Sequence, residues 1–118
     1  MKKDRKDVLD LSNCNLCDEK VEFLLKNVRK QKKIKGLKLG KNKITDGGFS
    51  KIIDFLGSTS NMNLSNNELT EETLSMIIKN RDRFSPLRIL NISSNKVSER
   101  KAKPMVEALK KIGIIVTL

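Results

Sequence analysis

The sequence predicts an α/β fold: a short solenoid in which strand-helix units wind as a right-handed βα superhelix, with parallel strands on a concave face and helices on a convex one. Three observations carry this. Four segments share one pattern, VLDLSNCNL (8–16), GLKLGKNKI (36–44), NMNLSNNEL (61–69) and ILNISSNKV (89–97), at offsets of 28, 25 and 28. Each is followed by apolar residues at helical spacing rather than alternation. The 118 residues include four Phe and no Trp or Tyr, so any core must be built in layers of Leu, Ile, Val and Met.

Taken in order, the first unit turns Leu9, Leu11 and Leu16 inward and continues into a helix with Val21, Leu24, Leu25 and Val28 on one face. The second has Leu37, Leu39 and Ile44, then Phe49, Ile52, Ile53 and Leu56. The third has Met62, Leu64 and Leu69, then Leu74, Ile77 and Ile78. The fourth has Leu90, Ile92 and Val97, then Ala102, Met105, Val106 and Leu109, with Pro104 predicting a late start or a kink. Asp18, Thr45, Thr70 and Ser98 mark the helix starts, as N-caps or their neighbours, with acidic residues close behind.

Neither strand nor helix can bury its apolar face alone, so the units must stack. The seventh place of each segment holds Cys14, Asn42, Asn67 or Asn95. A side-chain amide there can bond backbone groups that a curved strand leaves unpaired. The small residues Ser12, Gly40, Ser65 and Ser93 occupy one shared turn position. That comparison removes a phosphate-loop reading of GLKLGKNKITDGG (36–48): Gly36 and Gly40 are not spaced as a P-loop requires, and no Ser or Thr follows Lys41. Gly47 and Gly48 open a helix at places filled by other residues in the sister units, so no unit is expected to need glycine there.

The segments LRILNISSNKV (87–97) and IKGLKLGKNKI (34–44) spell LxxLxLxxNxL in full. The pattern resembles the leucine-rich repeat. The alternating periods and the stretch NKITDGGFSKIIDFL are similar to its ribonuclease-inhibitor-like subclass. The resemblance spans essentially the whole chain and implies a single domain over residues 1–118, with units at about 6–33, 34–58, 59–86 and 87–112 and a closing strand at 113–118. Lys6 and Thr59 depart from it, each standing where a leading Leu is expected and weakening the register locally. By the same resemblance Cys14 is expected as a buried structural thiol, and Cys17 as an ordinary loop residue. The family contains inhibitors, activators of small GTPases, actin-capping and sensor proteins, and subunits of ciliary and mitochondrial assemblies. It implies a non-catalytic protein-protein interaction module, a small scaffold or accessory subunit.

Catalysis finds no constellation to support it. The chain has no His, so a general base near neutral pH would have to be a perturbed carboxylate, Lys or thiolate, and nothing pairs such a group with a second partner. A lone CxxC at Cys14 and Cys17 cannot assemble four zinc ligands. No enzyme activity, cofactor or metal is therefore expected.

Charge says more. The 25 Lys and Arg against 14 Asp and Glu give +11, which favours acidic partners. Acids gather where strands pass into helices (Asp18, Glu19, Asp46, Glu68, Glu71, Glu72, Glu99), and bases gather at the opposite edge. Helix dipoles explain that polarity but not the excess. The run Arg29, Lys30, Lys32, Lys33 and Lys35 is the candidate basic edge. The candidate partner-binding concave face is Asp10, Ser12, Lys38, Lys41, Asn63, Asn66, Asn91 and Ser93, with Ile89 and Ile115 its apolar members. The expected partner is a protein with an acidic surface, in a large complex such as a cytoskeletal or ciliary assembly. The alternative is an anionic polymer on the basic edge, microtubule acidic tails or RNA. No apolar stretch reaches membrane-span length, so the expected location is cytoplasmic, with nuclear or cytoskeletal association open. The apolar end IGIIVTL leaves two expectations, a piece of a longer protein or an end that docks onto a neighbour.

Overall fold

A computed structural model describes residues 7–28 and 33–118. The described residues are α/β, with five parallel strands in chain order and four α-helices. The strands are β1 (Val8–Asp10), β2 (Gly36–Lys38), β3 (Asn61–Asn63), β4 (Ile89–Asn91) and β5 (Ile115–Thr117). The helices are α1 (Asp18–Val28), α2 (Asp46–Ile52), α3 (Glu72–Lys79) and α4 (Glu99–Lys111). Successive helices pack on one another.

Register follows the repeat. Leu9, Leu37, Met62, Leu90 and Val116 are successive strand partners. Because side chains alternate along a strand, this puts the aliphatic positions in one layer facing the helices. Leu37, Met62 and Leu90 are buried together with Val21, Leu25, Phe49, Ile52, Leu74, Ile77, Ala102 and Leu109. Leu9, Leu11 and Val116 on the outermost strands, like Leu24, Ile78, Met105 and Val106 on the helices, are only partly buried. Val28 is the last residue of α1.

Three expectations change here. Thr59 is fully buried yet does not loosen the register, because its Oγ1 donates to Ile34 O at 2.8 Å and so satisfies the hydroxyl. Lys6 lies outside the described residues. Pro104 neither delays nor ends α4, which starts at Glu99 behind the Ser98 cap and runs thirteen residues. A proline at that depth forfeits the bond to the Arg100 carbonyl, and both residues are exposed, so water can satisfy that oxygen. Third, the α2 apolar face ends as a short 3-10 turn (Ile53–Phe55), and another (Arg81–Phe84) follows α3. The second turn delivers Phe84 into the core, stacked on Phe49 with ring centroids 6.1 Å apart and planes 5° from parallel.

Candidate functional site

The turns after the strands are held by three ladders of side-chain hydrogen bonds. In the first, Asn42, Asn67 and Asn95 each donate Nδ2 to their own strand's end and to the preceding one; Asn67, for example, reaches Leu64 O at 3.0 Å and Leu39 O at 2.9 Å. Their Oδ1 atoms accept from the preceding turn: Asn42 from Leu16 N, Asn67 from Ile44 N, Asn95 from Leu69 N. Each amide thus staples two successive strand-turn segments. Cys14 occupies the corresponding place but is exposed, correcting the expected buried thiol. Among the described residues no strand precedes β1 to pack on it. The Cys14 Sγ–H donates to Ser12 O at 3.3 Å.

The second ladder runs along the helix starts. Asp18 accepts from Thr45 N and Thr45 Oγ1 (2.9 and 2.6 Å). Asp46 accepts from Thr70 N, Thr70 Oγ1 and Thr73 Oγ1, and Glu71 accepts from Ser98 N. Each acid therefore binds the start of the next helix, where unpaired N–H groups and the dipole favour an anion. The Ser98 N–H, the Glu71 N–H and the nearby Lys101 ammonium hold the Glu71 carboxyl below the ordinary glutamate value. Thr45 and Ser98 cap their helices, accepting from Gly48 N and Lys101 N, while Thr70 Oγ1 accepts from Glu72 N. In the first unit this register gives the cap place to Cys17, whose carbonyl accepts from Val21 N, and Asp18 aligns with Asp46 and Glu71. Gly48 is needed after all: a Cβ there would stand 2.0 Å from Asp18 Oδ1. Thr73, at the same place in the next unit, instead bonds its acid.

The third ladder lies on the open face of the sheet. Asp10, Asn63 and Asn91 turn outward in one register row with Lys38. Asp10 accepts from Ser12 N and Oγ, Asn63 from Ser65 N, and Asn91 from Ser93 N and Oγ. The Ser12 hydroxyl and N–H, with Lys38 alongside, hold the Asp10 carboxyl below the ordinary aspartate value. No family model matches the chain, and no curated protein matches it either. The surface must therefore be read from its own geometry.

Of the eight expected concave-face residues, Asp10, Ser12, Asn63, Asn91 and Ser93 spend polar groups on these turns. Lys38, Lys41 and Asn66 are the ones whose side chains make no hydrogen bond among the described residues, and all three are exposed. Lys41 has φ 58°, the left-handed conformation shared by Asn13 (55°), Asn66 (57°) and Ser94 (57°) at the sister places. A lysine is less at ease there than asparagine, so the second unit presents the Lys41 ammonium at a conformational cost. On the candidate basic edge, Lys33 and Lys35 are exposed. Arg29, Lys30 and Lys32 lie outside the described residues. The edge continues through Lys79, Arg81, Arg83, Arg88, Lys110 and Lys111, of which Arg83 pairs with Asp54. No helix is long and apolar enough to cross a membrane among the described residues.

Proposed function

We propose that this chain is a short leucine-rich-repeat solenoid of the ribonuclease-inhibitor-like subclass, one domain whose sheet forms a concave face, and that it works as a non-catalytic protein-protein interaction module. In this reading it is a small scaffold or accessory subunit of a larger cytoplasmic assembly, with a cytoskeletal or ciliary complex as a candidate setting. Support for the repeat comes from the two ladders that join every unit to the next at equivalent positions, Asn42, Asn67 and Asn95 in the turns and Asp18, Asp46 and Glu71 at the helix starts.

The observation that carries the functional reading is the open sheet face. Asp10, Ser12, Asn63, Asn91 and Ser93 are committed to turns, while the exposed side chains of Lys38 and Lys41 make no hydrogen bond among the described residues. Two cations on a rigid polar sheet suit an acidic protein surface, for attraction and orientation. Affinity capture from cell extract with the wild type and with the double substitution Lys38→Glu and Lys41→Glu tests this. A discrete acidic protein is expected on the wild type and about tenfold less of it on the variant. Equal capture by both proteins removes the open face from the proposal.

A second reading, an anionic polymer such as microtubule tails or RNA on the basic edge, is favoured by the exposed Lys33, Lys35, Lys79, Lys110 and Lys111. A steep salt dependence with little sequence preference distinguishes the RNA form.

A further inference from the structure

The described residues have five large hydrophobics that are exposed, and three of them, Ile89 (47%), Ile112 (42%) and Ile115 (53%), belong to the last strands and the connection between α4 and β5. Ile89 and Ile115 are register partners on the open face of β4 and β5, with neighbouring strands about 4.8 Å apart. Ile112 caps the end of α4 at the corner that leads into β5, and three residues further on Ile115 N donates to Arg88 O. Beside Ile112 a groove of about 330 Å³ runs between the Arg81–Phe84 turn and the α4–β5 connection. Phe84, Leu87, Ile112 and Ile114 contribute its apolar lining, and Arg81 and Arg88 its cationic side.

The charge around this apolar corner is one-sided. Lys110 and Lys111 precede Ile112 and are exposed, as are Arg81 and Arg88, while Asp82 is the one acid lining the groove. Neighbouring Arg83 is turned to Asp54 instead. Arg88 Nη1 donates to Ser85 O and Leu87 O (2.8 and 2.9 Å), which anchors the guanidinium at the groove and leaves Nη2 and Nε available. An anchored, planar guanidinium suits a carboxylate. The groove is open to solvent and has room for one apolar side chain against Ile112. Ile112 is thus the exposed apolar residue of a groove whose cationic side complements an acidic partner.

We infer that this corner is a docking site for an acidic segment of a partner protein, one that places an aliphatic side chain in the groove and its carboxylates on Arg81, Arg88 and Lys111. The inference rests on the reading of the chain as an interaction module for acidic proteins, and adds a contact surface separate from Lys38 and Lys41.

The test is fluorescence anisotropy with a labelled hexapeptide of two leucines between glutamate pairs, and a control peptide with serines for the leucines. The protein is the full chain and three variants, each checked for folding by circular dichroism: Arg81→Glu with Lys111→Glu, Ile112→Ser, and Lys38→Glu with Lys41→Glu. Binding of the leucine peptide is expected to weaken about tenfold in both groove variants, and to stay unchanged in the sheet-face variant. The serine peptide should bind more weakly and be indifferent to Ile112→Ser. If Ile112→Ser does not fold, Ile112→Ala takes its place. No binding to the wild type, equal binding by all proteins, or displacement of the peptide by oligouridylate with a steeper salt dependence would each overturn the inference. Loss confined to the Lys38 and Lys41 variant would also overturn it while leaving the interaction-module reading standing; failure of that reading itself shows in the capture experiment.

Discussion

At the scale of single residues, the fold depends on a few side chains that each satisfy groups in two successive units. Asn67 is 8% exposed and carries bonds to both β2 and β3 ends, so its place leaves little freedom. Gly48 shows the same economy in reverse, since its missing Cβ is what lets the Asp18 carboxylate reach Thr45. Replacing glycine by alanine inside a helix ordinarily stabilises by up to about 1 kcal/mol. At Gly48 the sign should invert. The methyl group would displace Asp18 and forfeit its two bonds to Thr45, so Gly48→Ala is expected to lose about 1–2 kcal/mol. In an Asp18→Ala background the same change should become neutral or stabilising, which urea denaturation of the four proteins in a double-mutant cycle measures. Gly47→Ala is the control, because a Cβ there meets only Thr45 Oγ1 at an ordinary 3.5 Å. A destabilising Gly48→Ala that persists without Asp18 would show that the backbone, not the carboxylate, requires the glycine.

At the scale of elements, α4 carries an internal proline without breaking. Its cap, the Ser98 hydroxyl accepting from Lys101 N, and its packing through Ala102 and Leu109 hold it through Pro104. Pro104→Ala restores a backbone bond and relieves the ring's contact with the previous turn, a gain offset in part by a freer unfolded chain. A net stabilisation of about 2 kcal/mol is expected, read as a higher denaturation midpoint at unchanged slope. The elements themselves were largely legible in the sequence, because aliphatic residues recurring at 28, 25 and 28 reveal both strand register and helix face. Phe84 could have been found the same way, 28 places after Leu56. The acid ladder was obscured by a one-residue shift: Asp18 looks like a cap beside Thr45, although Cys17 holds that place and Asp18 belongs with Asp46 and Glu71. On the open face, alternation identifies which side chains point outward. It cannot distinguish an outward Asn that awaits a ligand from one, like Asn63 or Asn91, that folds back on its own turn.

At the scale of the whole molecule, the carboxylates join units together and also offset an excess of positive charge. The chain carries +11 near neutral pH, and protonating its 14 Asp and Glu moves it toward the full charge of its 25 Lys and Arg. Self-repulsion then opposes the compact state. A second effect is local. Glu71 and Asp10 have folded values lowered by hydrogen bonds from Ser98 and from Ser12 respectively. A group with a depressed folded value contributes stability that is fully present above its unfolded value, about 4.3 for glutamate and 3.9 for aspartate. That contribution declines as the pH falls through the unfolded value and is gone below the folded one. The thermal midpoint should therefore be flat from about pH 7 to 5 and fall between about pH 5 and 3. Glu71→Gln separates the two causes. It should lower the midpoint near neutral pH, since a charged acceptor is replaced by a neutral one, and make the acid fall shallower. Added salt should recover the part of the fall that comes from long-range repulsion, but not the difference between wild type and Glu71→Gln that comes from the bond to Ser98. Parallel curves for the two proteins at every pH would remove Glu71 as a source of the acid sensitivity and leave net charge to account for it.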